Sequence, residues 1–171
     1  MAAATLGLVM NGPVSTRPVR LPEDADFLEC VYRSTREVEL GLFGWPETEA
    51  RAFVASQLEA QSRHYVSYYP EAEYLVILVD GQPGGRIIID RREDSLHIVD
   101  IALLPAFRGS GVGTELVTEL LGEAARRGVP VTCHVEVGNP ARSFWQHLGF
   151  VEKGGTGAHI ALERKCEISQ S

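Results

Sequence analysis

The stretch Ile101–Leu121, "IALLPAFRGSGVGTELVTELL", decides how the chain is read. Its first four residues are the end of an apolar strand, "SLHIVDIALL" (95–104), closed by Pro105. Its last ten carry Val112, Leu116, Val117, Leu120 and Leu121 at helical spacing, continued by Ala124 and ended by "ARRGVP" (125–130). A basic last turn, a glycine and a proline beyond it are the signals of a helix stop. Between strand and helix, Gly109, Gly111 and Gly113 alternate within five residues, with Arg108 at the entrance. Backbone without Cβ at the opening of a helix lets several N–H donors and the helix dipole converge on an anion, and a diphosphate is the natural occupant. A tight strand-to-helix turn without a ligand would use the same glycines.

Other phosphate loops fit less well. A Walker A loop, G-x-x-x-x-G-K-[ST], needs a lysine for the outer phosphates, and none is near. A dinucleotide fingerprint G-x-G-x-x-G starting at Gly109 meets Thr114 at its third glycine, four residues separate it from the strand end, and the next strand has no ribose-binding acid at its tip.

Outward from the loop, elements alternate without repeats or low-complexity linkers. A short strand is expected around "STRPVRL" (15–21), then a helix within "PEDADFLECVYRSTREVEL" (22–40), where Phe27, Leu28, Val31 and Tyr32 recur behind an acidic first turn. A second helix is expected over "ETEARAFVASQLEAQ" (47–61), with Pro46 near its start, where a missing N–H costs nothing. "AEYLVILV" (72–79), "RIIIDR" (86–91) and 95–104 read as consecutive antiparallel strands, the first pair joined at "DGQPGG". After the central helix come a strand over "VPVTCHVEV" (129–137), a short helix with Asn139 as N-cap and Pro140 at its first position, and closing strands at "FVEKGG" and "AHIALER". The expected fold is α/β (α+β): a mixed, mostly antiparallel sheet of about seven strands with helices on both faces, and parallel strands flanking the central helix. One domain is expected over 15–165, after a disordered leader at 1–14 and before a tail at 166–171.

Composition narrows the function. A formal net charge of −7 and scattered Lys and Arg argue against a nucleic-acid surface and are compatible with cationic substrates such as amines. Cys30, Cys133 and Cys166 are few, odd in number and far apart, which excludes a disulfide framework and a Cys-x-x-Cys metal or redox site and suggests a reducing cytoplasm. No metal site and no membrane span are expected; "MAAATLGLVM" lacks a basic n-region and is too short to cross a bilayer.

Arg108, Gly111 and Gly113 match the R/Q-x-x-G-x-G/A signature of the GNAT superfamily of acyl-CoA-dependent N-acyltransferases, and 101–121 resembles that family's central motif throughout. "NPARSFWQHLGF" (139–150) resembles its second motif through Asn139, Ala141, Phe144, Gly149 and Phe150, and the element order from about 15 to 164 suits it. The resemblance implies that acetyl-CoA is the co-substrate, that its diphosphate sits on Arg108, Gly109, Ser110, Gly111, Val112, Gly113 and Thr114, and that its pantetheine arm bonds the backbone of Leu103 and Leu104 where the strand bulges from its parallel neighbour. Asn139 then either only caps its helix or also touches the pantetheine. Dimers are frequent in that family, so a homodimer is compatible.

Acyl transfer needs a neutral amine, a group to take its proton, and help for the departing thiolate. Asp100, a carboxylate within an apolar strand, is the first candidate base unless Arg86 claims it, followed by His97 and by Glu136 at the end of the neighbouring strand. Strand alternation places His97 and Asp100 on opposite faces. Where the family commonly has a tyrosine that protonates the thiolate, this chain has Trp145, whose indole can donate a hydrogen bond but not a proton. Trp145 is either a catalytic contact to sulfur or a wall of the acyl pocket. Tyr65, Tyr68 and Tyr69 either supply a hydroxyl from a loop folded over the cleft or pack the second helix on the sheet. Glu37 and Glu39 either attract the amine or are solvated. The resulting expectation is an N-acetyltransferase acting on a primary amine of a small molecule or protein; the alternative is an acyl-CoA-binding module whose catalysis lapsed with Trp145.

Overall fold

Gly84 and Gly85 set how closely the sheet and the loop approach: a Cβ on Gly84 would stand 3.0 Å from the Phe107 ring, and one on Gly85 would stand 2.3 Å from the carbonyl oxygen of Ala102. Around them the computed structural model describes residues 12–166. The strands are β1 (Val14–Pro18), β2 (Glu73–Val79), β3 (Gln82–Arg91), β4 (Leu96–Leu103), β5 (Val131–Glu136), β6 (Val151–Thr156) and β7 (His159–Arg164). The helices are α1 (Ala25–Ser34), α2 (Glu37–Phe43), α3 (Glu47–Tyr68), α4 (Val112–Arg127) and α5 (Arg142–His147), with a 3-10 turn at Pro105–Phe107. The expected leader and tail lie almost wholly outside the described residues, although Val14 already belongs to β1.

One sheet of seven strands runs β1-β2-β3-β4-β5-β7-β6, with every neighbouring pair antiparallel except β4 and β5. The expected mixed sheet, its strand count and the parallel pair around the central helix are therefore present. Leu116, Val117, Leu120 and Ala124 of α4 join Ile77, Ile87, Leu96, Ile98, Val131 and Leu162 in one buried core, together with Trp145 and Phe150 at α5. Each large side chain buried this way contributes on the order of 2 kcal/mol. Alternation turns Val76 and Ile88 to the other face, which α1 and α3 cover with Val31, Tyr32 and Val54.

Three boundaries differ from expectation. The single helix over 22–40 is two, because Thr35 caps α1 with its hydroxyl on the Tyr32 carbonyl and α2 starts afresh at Glu37. α3 continues to Tyr68, so Tyr65 and Tyr68 stand on its last turns instead of in a loop, their rings tilted against that of His64. The turn between β2 and β3 is only Asp80–Gly81, both at positive φ, and β3 therefore begins at Gln82.

The largest departure is in β4. Ile89 pairs with Ile98 and Ile88 with Asp100, so Val99 has no partner on β3 and the strand bulges. The bulge reverses the alternation beyond it. Leu96 and Ile98 face α4, but so do Ile101 and Leu103, and His97 and Asp100 share the α3 face. The expectation that these two lie on opposite faces is overturned by this one extra residue.

His97 is 3% exposed, stacks on Tyr69 at 5.4 Å and shares a 2.8 Å hydrogen bond between Nδ1 and Thr132 Oγ1. Burial first, then the nearby Arg92, lowers its pKa to about 4. The unfolded chain, with an ordinary histidine near 6.5, binds this proton more readily, so His97 stabilises the fold fully above pH ~6.5 and loses that contribution as pH falls toward 4. Replacing His97 by Gln should therefore flatten the acid side of the stability curve by on the order of 2–3 kcal/mol between pH 7 and 4, read by urea unfolding. A variant whose curve merely shifts down in parallel would contradict this.

Candidate functional site

The bulge at Val99 has a consequence on the other edge of β4. Parallel pairing with β5 is confined to Leu96–Ile98 against Val131–Cys133, while β5 stays paired to β7 as far as Glu136. Beyond Ile98 the two strands splay, and a cleft of about 790 Å³ opens between Val99–Leu103 and His134–Asn139, with Trp145 on its wall and the glycine loop at one end.

The loop has the geometry of an anion cradle. Gly109 and Gly111 have φ of +69° and +88°, conformations costly for any residue with a Cβ, and Gly111 is the N-cap of α4. The N–H groups of Val112, Gly113 and Thr114 have no acceptor within the helix and point out of its positive end. Phe107, packed on Gly84, holds the loop's near side to β3. Gly113 faces the Phe144 ring, where a Cβ would make an ordinary contact at 3.4 Å, so close packing does not demand glycine there.

Several expected contacts are placed differently. The Leu104 N–H donates to Gly84 O at 2.8 Å, and the Leu104 carbonyl accepts from the Phe107 N–H at 2.9 Å. Leu104 thus has its backbone committed to β3 and the 3-10 turn. Because an antiparallel ladder alternates its bonding direction, the residues whose backbone groups reach the open edge are Ile101 and Leu103. Sequence reasoning missed Ile101. Its signal was available: the apolar pairs Leu96/Ile98 and Ile101/Leu103 are separated by three residues instead of two, a break in alternation that marks a bulge.

The Arg108 guanidinium is held at the loop's entrance. Its Nε donates to Leu103 O at 2.8 Å, and one terminal nitrogen reaches Ser34 Oγ at 3.1 Å and Ser34 O at 3.3 Å at the end of α1. The Ser110 hydroxyl donates to Phe107 O, so the side chain of Ser110 serves the turn. Asn139 Oδ1 accepts the Ala141 N–H at 2.8 Å, and α5 starts two residues later than the expected first position at Pro140. This leaves the Asn139 amide nitrogen for the cleft that it lines.

Asp100 is claimed by Arg86, whose Nε donates to Oδ2 at 2.8 Å while another nitrogen donates to Gln61 Oε1 on α3 at 2.6 Å. Arg86 is 7% exposed. The alternative left open by the sequence, a buried arginine partner, is the arrangement found. Tyr65 stands near this pair, and burial first, then the Asp100 charge, raises its hydroxyl well above the ordinary tyrosine range. That hydroxyl is a poor proton donor at neutral pH. Glu136, at the end of β5, is exposed and makes no ion pair among the described residues. Trp145 is 4% exposed, edge-on to Phe144 and Phe150 at 5.0 and 5.1 Å, and is therefore both core and wall. Glu39 lines the cleft mouth but pairs with Arg36 at 3.0 Å, whereas Glu37 is only solvated.

Asp100 and Glu136 also border a second cavity of about 600 Å³ on the α3 face, which shares Val99–Ala102 and His134–Glu136 with the first. The splayed edges thus line both cavities, the glycine loop bordering one and the end of α3 the other. No group of three or more His, Cys, Asp or Glu side chains suited to a metal occurs among the described residues, nor does any helix there have the length and apolarity to cross a membrane.

Comparison with known proteins adds to this geometry. The model of the acetyltransferase (GNAT) family matches residues 34–150. The chain is 30% identical over 112 residues to a putative [ribosomal protein bS18]-alanine N-acetyltransferase of Bacillus subtilis, covering 64% of this chain and 73% of that protein. It is 32% identical over 97 residues to the mycothiol acetyltransferase of Actinosynnema mirum, covering 56% of this chain and only 29% of that longer protein. The PaiA N-acetyltransferase of Thermoplasma acidophilum, solved in complex with coenzyme A, superposes with a TM-score of 0.66 at 18% identity over 90% of this chain and 99% of that one. An acetyltransferase from Thermus thermophilus superposes at 0.61 with 22% identity, over 91% of this chain and 98% of that one. These structures share the fold.

The Arg86–Asp100 pair gives the site's first test. Asp100→Asn leaves a buried guanidinium without its counter-charge and should lower unfolding free energy by about 2 kcal/mol, less than a fully buried pair because Asp100 keeps some solvent. Arg86→Met combined with Asp100→Leu should recover most of the loss. Equal stability of Asp100→Asn and the unmodified chain in urea would show that the pair is no strut.

Proposed function

Since the chain belongs to the acetyltransferase (GNAT) family, we propose that it carries the acetyl group of acetyl-CoA to a primary amine across the splay between β4 and β5. The observation that carries this reading is the alignment of an anion cradle at the head of α4 with the backbone edge at Ile101 and Leu103 that β5 leaves open, the Leu103 carbonyl being taken by Arg108. A diphosphate on the Val112–Thr114 N–H groups leaves the pantetheine to run along that edge as an added strand would. Gly109 and Gly111 shape the cradle, and Arg108 fixes it to β4 and α1 while adding positive charge. Asn139 offers its amide nitrogen to the same arm.

At the splay the amine nitrogen attacks the thioester carbonyl carbon, the C–S bond breaks, and the products are an amide and the CoA thiolate, which takes a proton from solvent. Ile101, beside the bulge, has an N–H at the open edge to hold the carbonyl oxygen as charge develops on it. Glu136 is the base for the amine proton, directly or through one water, since Asp100 is bound up with Arg86. A thiol of ordinary pKa about 8.5 leaves as thiolate without an obligatory acid, so Trp145 in the usual tyrosine position is compatible with turnover and serves as apolar wall.

Calorimetric titration with acetyl-CoA, with NAD and ATP as controls, tests the cradle: saturable binding of acetyl-CoA is expected, and none near millimolar ligand would refute it. Amine-dependent CoA release tests the base. Glu136→Gln should lower turnover by about 100-fold with acetyl-CoA binding unchanged. Undiminished turnover in that variant would remove Glu136 from the role, and tight acetyl-CoA binding with no turnover on any amine would mark a binding module instead.

A further inference from the structure

The second cavity is lined by the end of α3, by Tyr32 of α1 and by the splayed strand edges, and its chemistry is selective. Four tyrosines, Tyr32, Tyr65, Tyr68 and Tyr69, border it. Both arginines at its wall already have partners: Arg36 donates to the Tyr32 hydroxyl at 3.2 Å and to Glu39 at 3.0 Å, and Arg86 is bound by Asp100 and Gln61. The His134 pKa is lowered, by partial burial first and then by the neighbouring His159 and Arg92. Glu136 is the charged group of this cavity that has no ion pair among the described residues, and it sits at the splay. The cavity therefore presents an unpaired carboxylate on β5 and tyrosine rings on α1 and at the end of α3, with both of its arginines already engaged.

We propose that this cavity selects an amine acceptor carrying a second positive charge, a short diamine or longer polyamine, in preference to an amine bearing a carboxylate. The inference rests on the acetyltransferase reading above and names the acceptor's class. The reacting amine lies at the splay beside Glu136, and the distal ammonium lies against Tyr68 at the end of α3, where a ring quadrupole attracts a cation, as the Tyr32 and Tyr69 rings already do for the guanidinium groups of Arg36 and Arg92 at 5.4 and 5.6 Å. Tyr68, 69% exposed and tilted against the His64 ring at 4.4 Å, borders the cavity. A carboxylate in that position would lose water while facing the negative faces of the rings, with both guanidinium groups already engaged.

The test compares 1,4-diaminobutane, n-butylamine and 4-aminobutanoate, equal in chain length and differing at the far end, by calorimetric binding to the full chain with and without saturating CoA. The diamine should bind at least about tenfold more tightly than the amino acid and about threefold more tightly than the monoamine, and Tyr68→Ala should erase its advantage over the monoamine. Absence of diamine binding, equal affinity for all three, or preference for 4-aminobutanoate would overturn the proposal. An alanyl peptide binding more tightly than the diamine would overturn it equally. Acetyl-CoA binding on the opposite side of the sheet is read separately, so the acceptor class can fail while the acetyltransferase reading stands.

Discussion

One unpaired residue, Val99, governs this structure. At Val99 the antiparallel ladder to β3 shifts by one residue, and just before it, at Ile98, the parallel ladder to β5 stops. The β3 ladder resumes at Asp100 and runs to Leu103, and the β5 ladder ends. A row of backbone groups at Ile101 and Leu103 is left without strand partners next to a cavity. Buried peptide groups demand partners, so this edge is a place where an extended, amide-bearing ligand gains more than it would on a complete sheet.

The same residue divides the chemistry between two faces. Beyond the bulge Asp100 turns toward α3 and Ile101 toward α4, which puts the polar Arg86–Asp100–Gln61 group on one side and an apolar floor on the other. The polar group ties three elements together, β3, β4 and α3, at the depth where the sheet opens. A strut is needed there because the splay has removed the hydrogen bonds that would hold β4 in place. Arg108 acts similarly at the loop, joining the end of β4 to the end of α1. Asp100, read from the sequence as a candidate base, and Arg108, read as a diphosphate contact, both make hydrogen bonds that brace the opening.

Much of this was legible in the chain. Helical spacing over 112–124, the glycine stop at 128 and the β-branched runs at 72–79, 86–91 and 95–104 report local periodicity, and local periodicity is written residue by residue. The glycine loop was legible for the same reason, because positive φ at Gly109 and Gly111 is a local demand. Less legible were Leu104 and Ile101, whose roles exchange on a one-residue shift of register, and the start of α5, where Asn139 caps the turn ahead of the helix. The tyrosines at 65–69 read as a loop because the helix bearing them lacks a clear apolar stripe; α3 buries only Ala50 and Val54.

The amino-acid sequence by itself determined the elements, their order, the parallel pair around α4 and the glycine-rich turn that opens it. Each follows from backbone preferences and side-chain periodicity within a few residues. Only the tertiary structure decided which carboxylate is engaged and which is open, which face His97 shares with Asp100, and that the splay borders two cavities. Those outcomes depend on distant partners, Arg86 fourteen residues from Asp100 and Gln61 twenty-five from Arg86, and on a strand register that no single strand specifies alone.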